Sequence, residues 1–591
     1  MCGIVGFVDK KNRLANVEKQ VLIDAMARVI DHRGRDDHGS YIIKDIAVGQ
    51  TRLSILDLSA NGAQPFFSDD KKVVLVYNGE IYNYRLLNQE LKNKHQLKSN
   101  CDTETLLCGY LDEGFDCFKK MNGMFATAIL DETKNQIVLA VDRFSIKPLY
   151  YINTTDWFAW SSEVKSLLLL PGFKAEMDES KLYEYFLFRQ VSGAETLFKN
   201  IKRVLPAQVI QYNVKKRQLS VERYWKLEKK DLGQIDFENV LLKKLERSVS
   251  EHLLADVPVG VQLSGGVDSS LVVALASRHK KDLNTFSIGL ADQDWNEFEY
   301  SRIVAKQYGT IHHELVFTEE DFCRELPRLT YFHDEPISHS HSVPMFLLAQ
   351  DARKDVKVLL SGEGADEAFF GYRRYLDLYK QPPNQGGIIF SNAFGKTDII
   401  KKVLSITYDP VAALSYRESI LADAVKLSWV DQVSYYDLRT YLPPLLLRQD
   451  KMGMAANLEN RVPFLDYQLV EFGFSLPEAC KINAKDNKIL LKKIACQFLP
   501  EPLIYRRKCG FAQPLGAWLK NKEGFGAYLK FFNKQNERRA FLNYDFIRNL
   551  IAEHSIGGAD HTEILWTLIG LELWLRIFID GIKPEKIRAG L

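Results

Sequence analysis

The sequence lacks the compositional features that mark several large classes of protein. Its 591 residues carry a formal net charge of only +2, so charge gives no argument for binding nucleic acid or a membrane. The eight cysteines include no Cys-x-x-Cys pair, which argues against a zinc site and against a disulfide framework. No basic segment precedes the short apolar run at the start, so we predict no signal peptide and expect a cytoplasmic protein with reduced thiols.

Membrane-spanning runs and internal repeats are missing as well. The most apolar late stretch, residues 564–579, contains Glu572 and Arg576, which predicts a buried helix rather than a membrane span. The chain is also too long for a single hydrophobic core. We therefore expect a globular protein with two or more domains.

The pattern of secondary structure changes near residue 236. Before it, short β-rich runs such as residues 73–77 and 136–141 are separated by Asn-Gly pairs at 78–79 and 122–123, which indicate turns. After it, apolar strands alternate with helices, which predicts a doubly wound parallel sheet. The predicted strands are residues 258–263, 285–289, 313–317 and 356–360, and the predicted helices include residues 271–277 and 298–308.

The expected fold class is therefore α/β and α+β in two domains. We place the first domain at residues 1–213, a charged linker at residues 214–235 and the second domain at residues 236–591. Beyond residue 377 the second domain is expected to be largely helical.

Cys2 is the most informative single residue. Removal of Met1 would give Cys2 a free α-amine beside its own thiol, and this amine can act as the base that activates the nucleophile. The thiolate is the reactive form of cysteine. A lone Cys2 would equally suit a small buried residue at the start of a strand, so the interpretation depends on the motifs that follow.

The second motif, LSGGVDSS at residues 263–270, lies between a predicted strand and a predicted helix. A glycine-rich turn at a helix start can direct backbone N–H groups and the helix dipole toward a phosphate. An acidic residue beside that anion makes sense if it holds Mg²⁺. The predicted contacts are the backbone at Ser264, Gly265 and Gly266, the hydroxyls of Ser269 and Ser270, and the carboxylate of Asp268 as metal ligand. A plain glycine-rich turn is the alternative.

The third motif, SGEGADE at residues 361–367, follows the strand predicted at residues 356–360. Ligands bind at the carboxyl ends of strands in a doubly wound sheet, so this loop is expected to face the second motif. Asp366 would then be a second Mg²⁺ ligand beside Asp268, and Glu363 would position or deprotonate the attacking group. A solvated acidic loop is the alternative.

Polar residues of the first half suit an amino-acid substrate next to a nucleophilic cysteine. Arg52 can clamp an α-carboxylate, and Asp102 can pair with an α-ammonium. Asn78 and Gly79 can donate hydrogen bonds to an oxyanion. Taken singly, each of these residues is more often a surface polar group or part of a turn.

The motifs together resemble the glutamine-dependent asparagine synthetases of class B. The resemblance covers nearly the whole chain. In the first half it is carried by MCGIVG at residues 1–6, HRG at 32–34, RLS at 52–54, QP at 64–65, YNGEIYN at 77–83, NGMFA at 122–126, DRF at 142–144 and KPLY at 147–150. In the second half it is carried by residues 263–270 and 361–367, RVPFLD at 461–466 and KCGF at 508–511.

This resemblance implies an N-terminal nucleophile glutaminase with an αββα sandwich, followed by an ATP-pyrophosphatase-type synthetase domain. Cys2 would attack glutamine, with Asn78 and Gly79 at the oxyanion. The implied glutamine-binding residues are Arg52, Leu53, Ser54, Gly79, Glu80 and Asp102. The implied ATP-binding residues include Leu263, Ser264, Ile288, Ser361, Gly362 and Lys488, with Asp268 and Asp366 as Mg²⁺ ligands. Met124 matches a position in an ammonia channel, and a homodimer is compatible with the resemblance.

The implied reaction is the ATP-dependent amidation of a carboxylate through an acyl-adenylate. Aspartate is the expected acceptor, and another carboxylate, such as a uronic acid of a polysaccharide or a natural-product intermediate, is the alternative. A non-catalytic homologue is disfavoured because Cys2, Asp268 and Asp366 are all present. The expected partners are small molecules only.

Departures from the family pattern concern the acceptor more than the chemistry. In the first half the departures are Arg35, Gln50 and Ser145, where proline, histidine and glycine are usual. The second-half departures fall in residues 338–342, which contain His339 and His341, and in residues 368–372 and 457–460. We expect these three segments to border the acceptor pocket, and we expect the two histidines to line it rather than bind a metal.

Overall fold

The computed structural model describes residues 2–292, 295–506 and 513–587. Met1 and the predicted landmark at residues 508–511 lie outside the described residues. None of the described helices is both long enough and apolar enough to cross a membrane.

Residues 2–223 form two stacked antiparallel sheets. The strands are β1 (Cys2–Asp9), β2 (Asp37–Ile43), β3 (Ile46–Arg52), β4 (Phe66–Phe67), β5 (Val73–Ile81), β6 (Gly123–Asp131), β7 (Gln136–Val141), β8 (Tyr150–Asn153), β9 (Trp157–Ser161), β10 (Lys202–Arg203), β11 (Gln208–Asn213) and β12 (Gln218–Arg223). Sheet A has the order β10-β8-β9-β1-β3-β2, and sheet B has the order β12-β11-β7-β6-β5-β4.

Six α-helices belong to the described part of this domain. They are α1 (Asn16–Arg28), α2 (Tyr84–Leu91), α3 (Asp102–Glu113), α4 (Cys117–Lys120), α5 (Val164–Leu167) and α6 (Leu182–Phe188). Of these, α1 and α5 pack against sheet A, α3 packs against sheet B, and α6 packs against two helices of the second domain, Thr397–Val403 and Pro410–Ala424. Val8, Val76 and Trp160 belong to the apolar layer between the two sheets, whereas Leu107 packs with Ile129 between α3 and sheet B. The predicted αββα sandwich is therefore confirmed.

The second domain combines a parallel sheet with many helices. Its strands are β13 (Val259–Gln262), β14 (Asn284–Leu290), β15 (Ile311–Phe317), β16 (Val358–Leu360) and β17 (Glu459–Arg461). Its first helices are α7 (Phe237–His252), α8 (Val267–Ala276), α9 (Phe298–Tyr308), α10 (Glu319–His333), α11 (Ser342–Ala352) and α12 (Ala365–Phe369). Asp236 caps α7 by accepting from the Asn239 N–H at 3.1 Å.

The remaining helices form the C-terminal part. They are α13 (Arg373–Lys380), α14 (Gln385–Phe390), α15 (Thr397–Val403), α16 (Pro410–Ala424), α17 (Trp429–Thr440), α18 (Leu442–Ala455), α19 (Tyr467–Ser475), α20 (Glu478–Lys481), α21 (Ile489–Ala495), α22 (Glu501–Ile504), α23 (Leu515–Trp518), α24 (Tyr544–Ile556) and α25 (Thr562–Trp574). The expectation of a largely helical C-terminal part is confirmed.

The parallel strands lie in the order β15-β14-β13-β16-β17, and each neighbouring pair is parallel. From β13 the chain adds β14 and β15 on one side of the sheet and then β16 and β17 on the other, so the loops after β13 and β16 leave in opposite directions. This is the position at which doubly wound sheets bind ligands. The second and third sequence motifs begin at this point.

Three predictions about local structure need correction. Asn78 and Gly79 lie inside β5 and form no turn. A Cβ at Gly79 would come within 2.3 Å of the Met124 carbonyl oxygen, so close strand approach explains this glycine. Residues 218–223, placed in the predicted linker, form β12 and pair with β11. The strand β17 was not predicted at all.

Candidate active site

Cys2 occupies the first position of β1 and is almost fully buried. In sheet A it stands directly opposite Arg52 of β3. The Cys2 N–H donates to Asn78 Oδ1 at 3.0 Å, and the Cys2 carbonyl accepts from Arg33 Nε at 3.2 Å. The backbone of the predicted nucleophile is thus held from both sides by buried side chains.

The Asn78 side chain offers a second group beside Cys2. Because its oxygen accepts from the Cys2 N–H, its Nδ2 is the remaining donor. This Nδ2 is buried and has no hydrogen-bond partner among the described residues. A buried donor next to a nucleophile is what an oxyanion requires.

The Cys2 thiol is not reactive by environment alone. Burial raises its pKa, while the Arg52 charge and the Leu53 backbone act in the opposite direction. Because the thiolate is the nucleophile, a thiol with a raised pKa needs a base. The predicted α-amine would supply one.

The other predicted glutamine-binding residues surround this position. Arg52 is buried and donates from Nη2 to the Asp57 carbonyl at 2.7 Å. Asp102 begins α3 and accepts from Tyr77 Oη and from the Ile81 N–H, both at 2.8 Å. Burial raises the pKa of the Asp102 carboxyl.

Two further predicted residues are engaged elsewhere. The Ser54 N–H donates to Asp36 Oδ2 at 2.9 Å. The Glu80 Oε1 lies 3.3 Å from Arg461 Nη2, which belongs to β17 of the second domain. Glu80 therefore connects the predicted glutamine site to the parallel sheet.

The loop between β13 and α8, predicted to bind phosphate, is a tight turn held by its own serine hydroxyls. Gly265 has φ +70°, and a Cβ there would come within 2.7 Å of the Ser301 backbone nitrogen. The Ser264 hydroxyl lies 3.0 Å from Ser269 Oγ and accepts from the Gly266 N–H at 3.2 Å. Ser270, predicted as a further donor, is fully buried, and its hydroxyl has no hydrogen-bond partner among the described residues.

The structure places the second and third motifs in contact. A Cβ at Gly362 would lie 2.8 Å from the Ser269 backbone nitrogen and 2.9 Å from Asp268 Cβ. A pocket adjoins the β13 loop and contains three of the predicted ATP-binding residues, Leu263, Ser264 and Ile288. Residues that were not predicted, Gly289, Asn296, Glu297, Phe317 and Gln513 among them, complete its lining.

The two predicted metal carboxylates converge on one positive charge. Lys488 Nζ donates to Asp268 Oδ1 at 2.7 Å and to Asp268 Oδ2 at 2.8 Å, and it lies 2.6 Å from Asp366 Oδ1. In the described part of the chain no group of three or more His, Cys, Asp or Glu residues is arranged to hold a metal. The Lys488 ammonium therefore lies between the two carboxylates, and their role as Mg²⁺ ligands stays a prediction.

The rest of the third motif is rich in buried charge. Glu363 Oε2 accepts from Arg448 Nη2 at 3.0 Å. Glu367 is fully buried and accepts from Tyr372 Oη at 2.5 Å. Burial, together with the charges of Asp366 and Glu363, raises the pKa of Glu367 to about 8.

Both halves of the chain match known families. The family model described as asparagine synthase matches residues 240–576, and the glutamine amidotransferase domain model matches residues 1–225. Asparagine synthetase (glutamine-hydrolysing) 1 of Bacillus subtilis strain 168 is 31% identical to this chain, over 99% of this chain and 98% of its own length.

The chain belongs to the asparagine synthase family. Asparagine synthetase (glutamine-hydrolysing) 3 of the same bacterium is also 31% identical, over 91% of each chain. The resemblance predicted from the sequence motifs is confirmed.

The two domains of this asparagine synthase family member are joined by buried ion pairs that the sequence did not predict. Arg33 Nη1 lies 2.9 Å from Glu163 Oε1, and Arg33 Nη2 lies 2.9 Å from Asp450 Oδ2. Lys147 Nζ lies 3.2 Å from Asp450 Oδ1. Because Arg33 also donates to the Cys2 carbonyl, the Cys2 backbone is linked through Arg33 to the second domain.

The three segments predicted to border the acceptor pocket lie in different surroundings. His339 is buried near Arg448, and burial lowers its pKa far below the ordinary range. Tyr372 contacts Glu367 as described above. Asn460 donates to the Gln449 carbonyl at 2.8 Å from the side of β17 that faces α18, and that these segments border one acceptor pocket stays a prediction.

The predicted channel residue Met124 is fully buried in β6, where it stands opposite Glu80 of β5. It therefore lies between the glutamine site and the domain interface. The sequence motif alone does not predict this location for Met124, because methionine is also an ordinary residue of hydrophobic cores.

Proposed function

We propose that this chain is a glutamine-dependent ligase that uses ATP to convert a carboxylic acid into its amide, with aspartate as acceptor and asparagine as product. The observation that carries the proposal is the Asn78 amide, which holds the Cys2 backbone and keeps a buried, unpartnered donor beside it. The names of the two Bacillus subtilis relatives support the same activity.

In the first half-reaction the Cys2 sulfur attacks the side-chain amide carbon of glutamine. Negative charge develops on the amide oxygen, where the Asn78 Nδ2 donor stabilises it. The C–N bond breaks, the nitrogen takes up a proton and leaves as ammonia, and a thioester remains on Cys2. Water then releases glutamate. Arg52 and Asp102 are the proposed partners of the α-carboxylate and α-ammonium.

In the second half-reaction an oxygen of the acceptor carboxylate attacks the α-phosphorus of ATP. Pyrophosphate leaves and an acyl-adenylate forms. Ammonia then attacks the acyl carbon and loses a proton, and AMP leaves with the electron pair of the C–O bond. The N-terminus of α8 and the backbone of Gly265 and Gly266 suit the phosphates. Asp268 and Asp366 would hold Mg²⁺, which neutralises phosphate charge when bound.

Aspartate is favoured as acceptor because of the pair formed by Arg448 and Glu363. An amino acid presents a carboxylate and an ammonium together, and this pair offers one partner to each. The alternative acceptor is a uronic acid, for which the neutral His339 ring supplies a partner to hydroxyls.

The test is release of pyrophosphate and formation of asparagine with aspartate as the only acceptor, at saturating ATP, Mg²⁺ and ammonium. A turnover of about 1 s⁻¹ or more, in the ordinary range of enzymes, is expected. Background release with aspartate together with turnover of a uronic acid would replace aspartate by the alternative. The Cys2→Ala variant should lose glutaminase activity and keep the ammonium-driven reaction.

A further inference from the structure

The strand β17 is the element that connects the two reaction sites. It has only three residues, and all of them are buried. Because side chains alternate along a strand, Glu459 and Arg461 project to the side opposite Asn460. Asn460 faces α18, whereas Arg461 reaches Glu80 of the first domain.

The Arg461 guanidinium is shared between two carboxylates from different domains. Its Nε donates to Glu459 Oε1 at 2.5 Å, and its Nη2 lies 3.3 Å from Glu80 Oε1. Its Nη1 donates to the carbonyls of His252 at 2.8 Å and Leu254 at 2.6 Å. These bonds surround a fully buried charge.

In the group formed by Glu80, Glu459 and Arg461, the negative charge of the two carboxylates exceeds the positive charge of the guanidinium. Two carboxylates face the Arg461 guanidinium, and the Lys147 charge also stabilises Glu459, so Glu80 is stabilised only in part. Burial, with the added charges of Glu459 and Asp102, raises the pKa of Glu80, which Arg461 opposes. Glu80 is therefore the member of the group that gains most from another nearby cation.

The backbone of Arg461 contacts the other site. Its carbonyl accepts from the Ser361 N–H at 3.0 Å, and Leu360 of β16 pairs with Arg461 in register. Ser361 is the first residue of the loop whose Gly362 touches the β13 loop. One residue thus reaches Glu80 with its side chain and holds the nucleotide loop with its backbone.

We propose that Arg461 is a positioning residue that couples occupancy of the glutamine site to the arrangement of the nucleotide loop. The proposal rests on the proposed function. An α-ammonium bound beside Glu80 and Asp102 competes with Arg461 for the Glu80 carboxylate, so Arg461 shifts toward Glu459. The Arg461 carbonyl and the Ser361 N–H move with it. Because coupling between two binding sites is reciprocal, a nucleotide on the loop changes the affinity for glutamine.

The experiment measures glutamate release by the full-length protein over a range of glutamine concentrations. It is run with and without a saturating non-hydrolysable ATP analogue and Mg²⁺. In the wild type we expect the glutamine KM to fall about fivefold or more with the analogue. In Glu459→Gln and Arg461→Lys this shift should fall below about twofold, because lysine keeps the charge but not the planar fork.

The matched control is Glu335→Gln. Glu335 forms an ion pair with Arg203 and accepts from Tyr150 Oη at 3.2 Å, so it also joins the two domains. No described contact links it to β17, and its variant should keep the wild-type shift in KM.

The wild-type titration can overturn the coupling even if the variants do not fold. A wild-type glutamine KM that does not change with the analogue overturns the coupling. A wild-type-sized change of KM in both Glu459→Gln and Arg461→Lys, or loss of the change in Glu335→Gln, also overturns it. Ammonium-driven pyrophosphate release, measured in parallel, tests the proposed function separately. A wild type that releases neither glutamate nor pyrophosphate overturns the proposed function and the coupling with it.

Discussion

Asn78 supplies two different hydrogen-bonding groups to the space around Cys2, and only one of them is used within the chain. Its oxygen accepts from the Cys2 N–H, and its Nδ2 has no partner among the described residues. The sequence predicts both residues from their motifs. It does not predict which atom of the amide remains free, because that depends on the pairing of β5 with the layers around it.

The Asn78→Asp substitution tests this assignment at nearly constant size. It keeps an oxygen for the Cys2 N–H and replaces the free donor with a negatively charged acceptor. We expect the glutaminase kcat to fall by about 10²–10³-fold, while ammonium-driven pyrophosphate release stays near the wild-type rate. Asn88→Asp is the control, because the Asn88 oxygen only accepts from Thr105 Oγ1 at 2.7 Å. A kcat close to wild type in Asn78→Asp would reject the oxyanion role.

Glu367 makes stability depend on pH. Its pKa is raised to about 8 by burial, whereas an ordinary glutamate has a pKa of about 4.3. Between these two values the folded chain keeps a proton that the unfolded chain has lost. Stability is therefore fully present below the lower pKa and falls as pH rises from the lower pKa through the higher one, by about 5 kcal/mol in total.

Glu367→Gln removes this titration. We expect the melting temperature of the wild type to decline more steeply than that of the variant between pH 6 and 9, measured by thermal unfolding in matched buffers. The exposed Glu222→Gln should follow the wild type. Parallel curves for the wild type and Glu367→Gln would show that the Glu367 carboxyl is not protonated in the folded chain.

At the scale of elements, apolar content decides which strands can be predicted from the sequence. The mostly apolar strands β13, β14 and β16 were found, and so was the C-terminal part of β15, whose residues before Leu315 are mainly polar. The strand β17 consists of Glu459, Asn460 and Arg461, and its charges are buried only because Glu80 and backbone carbonyls far away in the sequence meet them. The strand β12 is mostly exposed, so its polar residues resemble a linker.

The contact between the two loops at the end of the parallel sheet predicts a steric effect. Gly362→Ala would place a Cβ 2.8 Å from the Ser269 backbone nitrogen, and that nitrogen belongs to a helix that cannot shift freely. Since a displacement of about 1 Å can cost roughly 100-fold in rate, pyrophosphate release should fall by about that factor. Glutaminase activity should persist, because the β13 loop makes no contact with Cys2.

Gly386→Ala is the control for this substitution, since the nearest atom to its new Cβ lies at 3.6 Å. It should leave pyrophosphate release unchanged. Normal pyrophosphate release in Gly362→Ala would mean that the two loops do not need this close approach.

At the scale of the whole molecule, the buried ion pairs join the domains into one unit. Arg33 and Lys147 come from the first domain, and Asp450 comes from α18 of the second. From the sequence alone, each of these three residues is expected to be exposed, as charged side chains normally are. Only the docking of the domains removes water from them, so sequence reasoning, which predicted site residues one domain at a time, missed the charges between the domains.

The Asp450→Asn substitution tests how much these ion pairs contribute to the stability of the domain interface. The substitution leaves Arg33 with Glu163 alone and removes the carboxylate that Lys147 faces at 3.2 Å. Loss of one partner of a buried pair costs about 3–5 kcal/mol.

Asp112→Asn is the control, because Asp112 pairs with Lys94 and His95 near the surface, where such pairs contribute about 0–1 kcal/mol. Urea unfolding followed by tryptophan fluorescence should place the Asp450→Asn midpoint well below the control. Because Arg33 also holds the Cys2 carbonyl, glutaminase activity should be lost at a lower urea concentration as well. Equal midpoints for the two variants would mean that water reaches these charges and that the interface is held by its apolar contacts.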